Sequence, residues 1–216
     1  MKNYIFLFFI LFNLLTLNIL SAQSRFGGGV VMGFNAAQMD GDRAAGYHKV
    51  GLNGGLRGII RLNETGEWLL TTELLYSQRG ARSVENDFTP IWKATFNYIE
   101  VPVMISLLDW AKNTEGGDVF YKMHFTAGLT YGRLFSTKIN GNFPFPREAV
   151  DLFNKNDIGY TLGMSYFATK HWGFTGRYTR SFNKIFNPRD YKTDPVLGGL
   201  NALQGYYLTF QTAWIF

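Results

Sequence analysis

The side chains able to do acid–base or nucleophilic chemistry are few. Histidine occurs as His48, His124 and His171, and cysteine does not occur. Without a thiol, a Cys-ligated zinc or iron–sulfur site and a disulfide-stapled module are excluded. A hydroxyl nucleophile needs a base and an acid in mutual hydrogen-bond reach. His124 and Ser106 come nearest to this, but the simplest antiparallel register sets them about four residues, or ~13 Å, apart. Gly27, Gly28 and Gly29 precede an alternating segment and not a helix, so they ease backbone curvature and do not cradle phosphate. No catalytic, metal or cofactor motif stands out. The remaining chemistry is charge placed at even spacing: Arg57, Arg61, Glu73, Glu100, Lys122, His124 and Arg177 all alternate with apolar neighbours.

That spacing implies strands, in which successive side chains point to opposite faces. Tyr206, Leu208, Phe210, Thr212, Trp214 and Phe216 alternate with Tyr207, Thr209, Gln211, Ala213 and Ile215. The same pattern runs through 29–37, 50–62, 68–80, 94–107, 120–134, 158–168 and 172–182. These segments predict about eight strands, the even number that a small outer-membrane barrel needs. Long connections (38–49, 81–92, 136–156, 185–202) mostly alternate with shorter ones (63–66, 109–118, 169–171), as long external loops alternate with short periplasmic turns in such barrels. Trp68, Trp110, Trp172 and Trp214 lie at or beside the short-turn edge, and only Trp92 falls in a long loop. Indoles prefer the headgroup level of a bilayer, so those four predict a membrane girdle. The expected fold is an all-β, eight-stranded antiparallel transmembrane up-and-down β-barrel.

Composition agrees. Charged residues are 17% and aromatics 17%, against roughly a quarter charged for an average soluble domain. The net charge of +5 is modest and spread out, with no basic run to suggest nucleic-acid binding. Lys2 followed by the apolar stretch Ile5 to Leu20 and the small pair Ser21-Ala22 reads as a cleaved signal peptide over 1–22, leaving 23–216 as the barrel. No other long apolar run exists, so helical spans are not expected.

An eight-stranded barrel is filled by its own side chains. Arg57, Arg61, Glu73, Glu100 and Arg177 form the expected interior charge cluster. Pairing across the 63–66 turn sets Arg57 nearly opposite Glu73. Pairing across the 81–92 loop sets Glu73 nearly opposite Glu100, with Arg57 placed to bridge the two carboxylates and Arg177 reaching from the far wall. The long loops carry apolar residues: Phe143, Phe145, Val150 and Phe153 in one, Val196, Leu197 and Leu200 in the other. Such residues either pack on the rim or meet a partner.

With these elements placed, the sequence resembles the PorT-like "porin family" of small outer-membrane β-barrels of Bacteroidota. The resemblance is carried by Glu73-Leu-Leu-Tyr-Ser-Gln-Arg-Gly80, Tyr98-Ile-Glu-Val-Pro-Val-Met-Ile105, the Ser21-Ala22-Gln23 junction and the terminal Phe216. Pro102 lacks a ladder donor and predicts a local break beside Glu100. The resemblance implies outer-membrane residence, contact with outer-membrane lipid, and a terminal signal at Leu208, Phe210, Trp214 and Phe216 like that read by the barrel-assembly machinery. Some members serve a secretion system. Two readings follow: a non-enzymatic adaptor or accessory subunit of an envelope complex, in contact with other outer-membrane or secretion-complex proteins, and a narrow channel for small solutes or ions. A lipid-modifying or proteolytic enzyme acting through His124 is a third.

Overall fold

The computed structural model describes residues 25–42, 46–63, 65–83, 91–114 and 119–216, so the expected leader lies outside the described residues. Eight strands follow one another around a ring: β1 Phe26–Asp40, β2 Lys49–Arg61, β3 Trp68–Arg82, β4 Trp92–Asn113, β5 Val119–Gly141, β6 Asn156–Phe167, β7 Trp172–Ser181 and β8 Gln204–Ile215. Each pairs antiparallel with its sequence neighbour, and β1 closes the barrel on β8 from Gly29 opposite Ile215 to Asp40 opposite Gln204. A short helix, α1 (Arg147–Asp151), and a 3-10 turn, Pro188–Tyr191, lie in the two longest loops.

The period-two pattern sorts the side chains. Met32, Leu52, Leu56, Leu74, Ile105, Leu129, Leu162 and Phe174 all point outward and are exposed. In water so broad an apolar surface would drive aggregation, but in a bilayer it is the lipid-facing band. Trp68, Trp110, Trp172 and Trp214 stand outward at the short-turn end. A second belt that the sequence reading did not identify, including Tyr76, Tyr131, Phe135 and Phe182, rings the opposite end. On single strands the two belts are separated by eight residues (Trp68 to Tyr76), ten (Trp172 to Phe182) and eight (Trp214 to Tyr206), close to the ~9–11 residues of a tilted strand crossing a membrane.

The structure departs from the sequence reading in three places. The 109–118 connection is not a loop: β4 and β5 stay paired as far as Asn113 opposite Val119. On the short-turn side β3 begins opposite Leu107, and β6 pairs with β5 no further than Met123. The β4–β5 hairpin therefore projects beyond its neighbours, with Trp110 at a positive φ of 60° where the hairpin leaves the barrel. Trp92 opens β4 instead of sitting in a loop, and its ring is buried edge-on against Phe143 at 4.9 Å. Finally, Glu100 pairs with Leu75 and not with Glu73, and the β3–β4 ladder is interrupted between Thr72 and Leu75 where Pro102 withholds an N–H.

Gly80 shows how tightly the wall is drawn. Its φ is +141°, and a Cβ there would lie 2.1 Å from the carbonyl oxygen of Ala94. The neighbouring Arg79 points into the lumen with the parity of Glu73, Leu75 and Ser77. Replacing Gly80 with Val is expected to cost at least ~1–3 kcal/mol from backbone strain alone. Urea unfolding in detergent micelles, followed by tryptophan fluorescence, measures it.

Candidate functional site

The lumen is filled by two charged layers and an apolar lid. In the layer nearer the short turns, the paired positions Arg57 and Glu73 on β2 and β3 form an ion pair of 2.6 Å. Arg177 reaches the other oxygen of Glu73 from β7 at 2.7 Å, and donates to Gln211 at 2.6 Å. Gln211 donates in turn to Asn53. Above this, Asn35 donates to Ser77 at 3.0 Å and accepts from Thr209 at 2.8 Å.

The second layer centres on Arg79. Its guanidinium lies between the rings of Tyr98 and Tyr207, 4.5 and 4.2 Å from their centroids. It pairs with Glu100 and with Asp157, each at 2.6 Å. Glu100 also accepts from Thr130 at 2.8 Å and from the Tyr207 hydroxyl at 2.5 Å. Across both layers three arginines, Arg57, Arg79 and Arg177, meet three carboxylates, Glu73, Glu100 and Asp157, all buried. Their charges cancel, which is the condition for keeping ions out of water without a large penalty.

The lid forms where the long loops fold over the barrel mouth. Phe145 and Phe153 stack among Phe96, Phe186 and each other with ring centroids 5.7–6.4 Å apart. Phe143, Val150, Leu197 and Leu200 pack against this cluster. At the short-turn end the lumen instead opens into a vestibule of about 550 Å³, lined in part by Arg25, Arg61, Lys170 and His124. A gap of about 20 Å³, lined by Ser106, Thr126, Ser165 and Thr175 among others, lies between that vestibule and the Arg57–Glu73 layer.

Several expectations need correction. Arg57 does not bridge the two carboxylates, because each has its own arginine partners. Arg61 stands outside the cluster, exposed on the vestibule wall, since β2 ends there. Lys122 turns its ammonium over the Trp110 ring at 4.9 Å, toward the rim and away from the interior charges. Phe145 and Phe153 are 6% and 4% exposed, so they are unavailable to a partner. Of the seven loop residues singled out, Val196 and Leu197 share the last loop, yet Val196 is 62% exposed while Leu197 packs inward. Arg79, Asp157, Tyr98 and Tyr207 were missed from the cluster. Arg79 shares strand parity with Glu73, a signal that would have placed it; Asp157 was hidden by a β6 start read two residues late.

The acid–base candidates are occupied elsewhere. Ser106 pairs with Thr126 at 2.9 Å, which brings it two positions from His124 and not four. His124 stacks on Phe167 at 4.4 Å, with Nε2 3.2 Å from the Tyr121 carbonyl, and the carboxylates nearest the gap are held by arginine. His171 Nδ1 lies 2.7 Å from the Ile215 carbonyl. On the terminal strand Phe210, Trp214 and Phe216 are exposed on the lipid face and Leu208 half-buried. Thr212, which interrupts that apolar series, accepts the indole N–H of Trp172 at 2.5 Å.

A closed ring of eight up-and-down strands, greasy outside and charge-balanced inside, defines a transmembrane β-barrel of the outer membrane. Residues 21–187 match the family described as outer membrane protein beta-barrel domain, and the chain belongs to that family. Comparison with curated proteins finds no match. Among solved structures, the chain is similar to Ail, the attachment invasion locus protein of Yersinia pestis, at 10% identity and TM-score 0.46, covering 89% of this chain and 99% of that one. Neisserial surface protein A aligns at 10% identity and TM-score 0.43, covering 88% and 96%. OprG of Pseudomonas aeruginosa aligns at 14% and 0.33, covering 89% and 93%.

Removing one member of the lower layer exposes its cost. Glu73→Ala leaves Arg57 and Arg177 buried together without a counter-charge, and an expected loss of about 3–5 kcal/mol follows. The triple change Arg57→Met, Glu73→Leu, Arg177→Met should restore most of it. Equilibrium unfolding in micelles compares the two.

Proposed function

We propose that this protein is a non-enzymatic adaptor or accessory subunit of an outer-membrane complex, working through its surfaces and not through its lumen. The observation that carries the reading is the filled interior. Two neutralised layers and an aromatic lid occupy it, and the gaps beside Arg79 and beside Arg57 measure about 10 and 20 Å³, room for about one water each. A solute path would have to break buried ion pairs and displace the lid.

The projecting β4–β5 hairpin supplies a surface suited to a partner. Asp109, Ala111, Lys112 and Asn113 pair only with β5, and Val119, Phe120 and Tyr121 only with β4, among the described residues. Tyr121 ties the hairpin to the neighbouring turn through the Thr65 carbonyl at 3.1 Å, so it is held in place with strand edges unpaired. Exposed edges recruit strands from other chains. The resemblance to the PorT-like family, some of whose members serve secretion, favours the same reading. The lipid-facing terminal residues Phe210, Trp214 and Phe216 suit recognition by the barrel-assembly machinery during insertion.

Two measurements test the proposal. Folded protein reconstituted in planar bilayers should give no steady conductance, and a persistent open current would establish the channel instead. Mild detergent extraction should recover the barrel within a larger envelope complex. Replacing residues 111–121 by a two-residue Asn-Gly turn should release it while the barrel remains folded. A wild-type protein that migrates alone at every load ends the adaptor reading.

A further inference from the structure

The outer wall carries a second charge pattern, on the opposite side of the membrane from the vestibule. Arg82 on β3 stands directly opposite Lys93 on β4. Lys138 on β5 faces Thr95, one outward position below Lys93, and is thus diagonal to it. Diagonal neighbours in a sheet lie about 7–8 Å apart and directly opposed ones about 5 Å. All three side chains are exposed. None has an ion-pair or hydrogen-bond partner among the described residues. Lys49 on β2 is buried and does not join them: its ammonium donates to the Val50 carbonyl at 2.8 Å and lies 3.4 Å from Gln78.

Like charges directly opposed across a strand pair destabilise it. Elsewhere on the outer wall the protein avoids this: Arg180 on β7 has the Asp40 carboxylate at 3.1 Å. The β3–β5 wall has no such internal remedy in the described residues, so an external anion is the natural counter-charge.

Height selects the anion. Phe135 and Tyr76, whose rings lie 6.2 Å apart, mark the aromatic belt on this wall. Lys138 is three residues beyond Phe135 and Arg82 six beyond Tyr76. At ~3.3 Å per residue and a tilt of about 40°, the cations stand roughly 7 to 15 Å above the belt. A phospholipid headgroup layer is only about 5–7 Å thick, so it reaches the lowest of them. We infer that Arg82, Lys93 and Lys138 form a binding strip for the phosphates of a tall, phosphorylated glycolipid headgroup in the outer leaflet. The acyl chains of the same lipid would lie along the apolar residues Ile99, Val101 and Val103 below.

The probe is a rough-type lipopolysaccharide retaining its phosphates, with retained lipid counted by native mass spectrometry of the detergent-solubilised protein. The wild-type barrel should hold it in preference to the same lipid after enzymatic dephosphorylation and to phosphatidylglycerol. The triple variant Arg82→Gln, Lys93→Gln, Lys138→Gln should lose affinity on the order of a hundredfold, while Lys170→Gln at the other end leaves it unchanged. Equal retention of the dephosphorylated lipid or of phosphatidylglycerol by the wild-type protein overturns the proposal, and needs no variant to fold. So does full retention by the triple variant. Thermal stabilisation of the wild-type protein by free inorganic phosphate as strong as that by the lipid would overturn it too.

Discussion

Everything in this protein follows from the pairing of β1 with β8. In hydrocarbon an unpaired N–H or C=O has no water to turn to, and each costs several kcal/mol. The first and last strands must therefore meet, as they do from Gly29–Ile215 to Asp40–Gln204. Closure with eight strands sets a narrow radius. A narrow radius leaves an interior that side chains must fill.

How that interior is filled is the second consequence. Alternation sends half of every strand inward, and the inward residues include three arginines and three carboxylates. An apolar filling would be at least as stable. The ionic filling has a different property: each arginine is satisfied only when particular strands stand in register. Arg79 needs Glu100 on β4, Asp157 on β6 and the rings of Tyr98 and Tyr207. Arg177 on β7 needs Glu73 on β3 across the lumen. A one-residue slip of any of these strands would turn a charge toward lipid. The lumen network thus acts as a register lock, and the apolar lid completes the seal at the mouth where the strands end.

With the lumen occupied, the parts that remain free to act are the projecting hairpin at one end and the lipid-contacting wall at the other. The two lie on opposite sides of the membrane and use different physics. Among the described residues, one offers unpaired backbone edges, the other unpaired cations. The hairpin belongs to strands β4 and β5, which at Trp92–Asn113 and Val119–Gly141 are longer than their neighbours, and the cations to the same two strands together with Arg82 at the end of β3.

Parity along each strand was readable from residue types alone, because a membrane barrel separates apolar from polar faces more sharply than a soluble sheet does. Arg57 opposite Glu73 followed from parity plus a short turn, since a tight connection leaves little freedom in register. Across the 84–90 loop no such rule applies, and the expected Glu73–Glu100 pairing is two residues away from the observed Leu75–Glu100. Phe145 and Phe153 show the same limit for loops: their apolar character was plain, but whether they meet the rim or a partner depends on a chain path that local sequence does not encode.

The sequence by itself determined the number of strands, which face of each points outward, and that four tryptophans stand at the short-turn end, because these are properties of consecutive residues and a period of two. Tertiary structure alone decided which arginine meets which carboxylate, that Arg61 and Lys122 stand apart, that the middle turn is a projecting hairpin, and that Arg82, Lys93 and Lys138 come together. Those outcomes depend on register and tilt around a closed ring, where a contact joins residues 104 positions apart, as Arg177 and Glu73 are, or 174 apart, as Thr209 and Asn35 are, and no local pattern carries that distance.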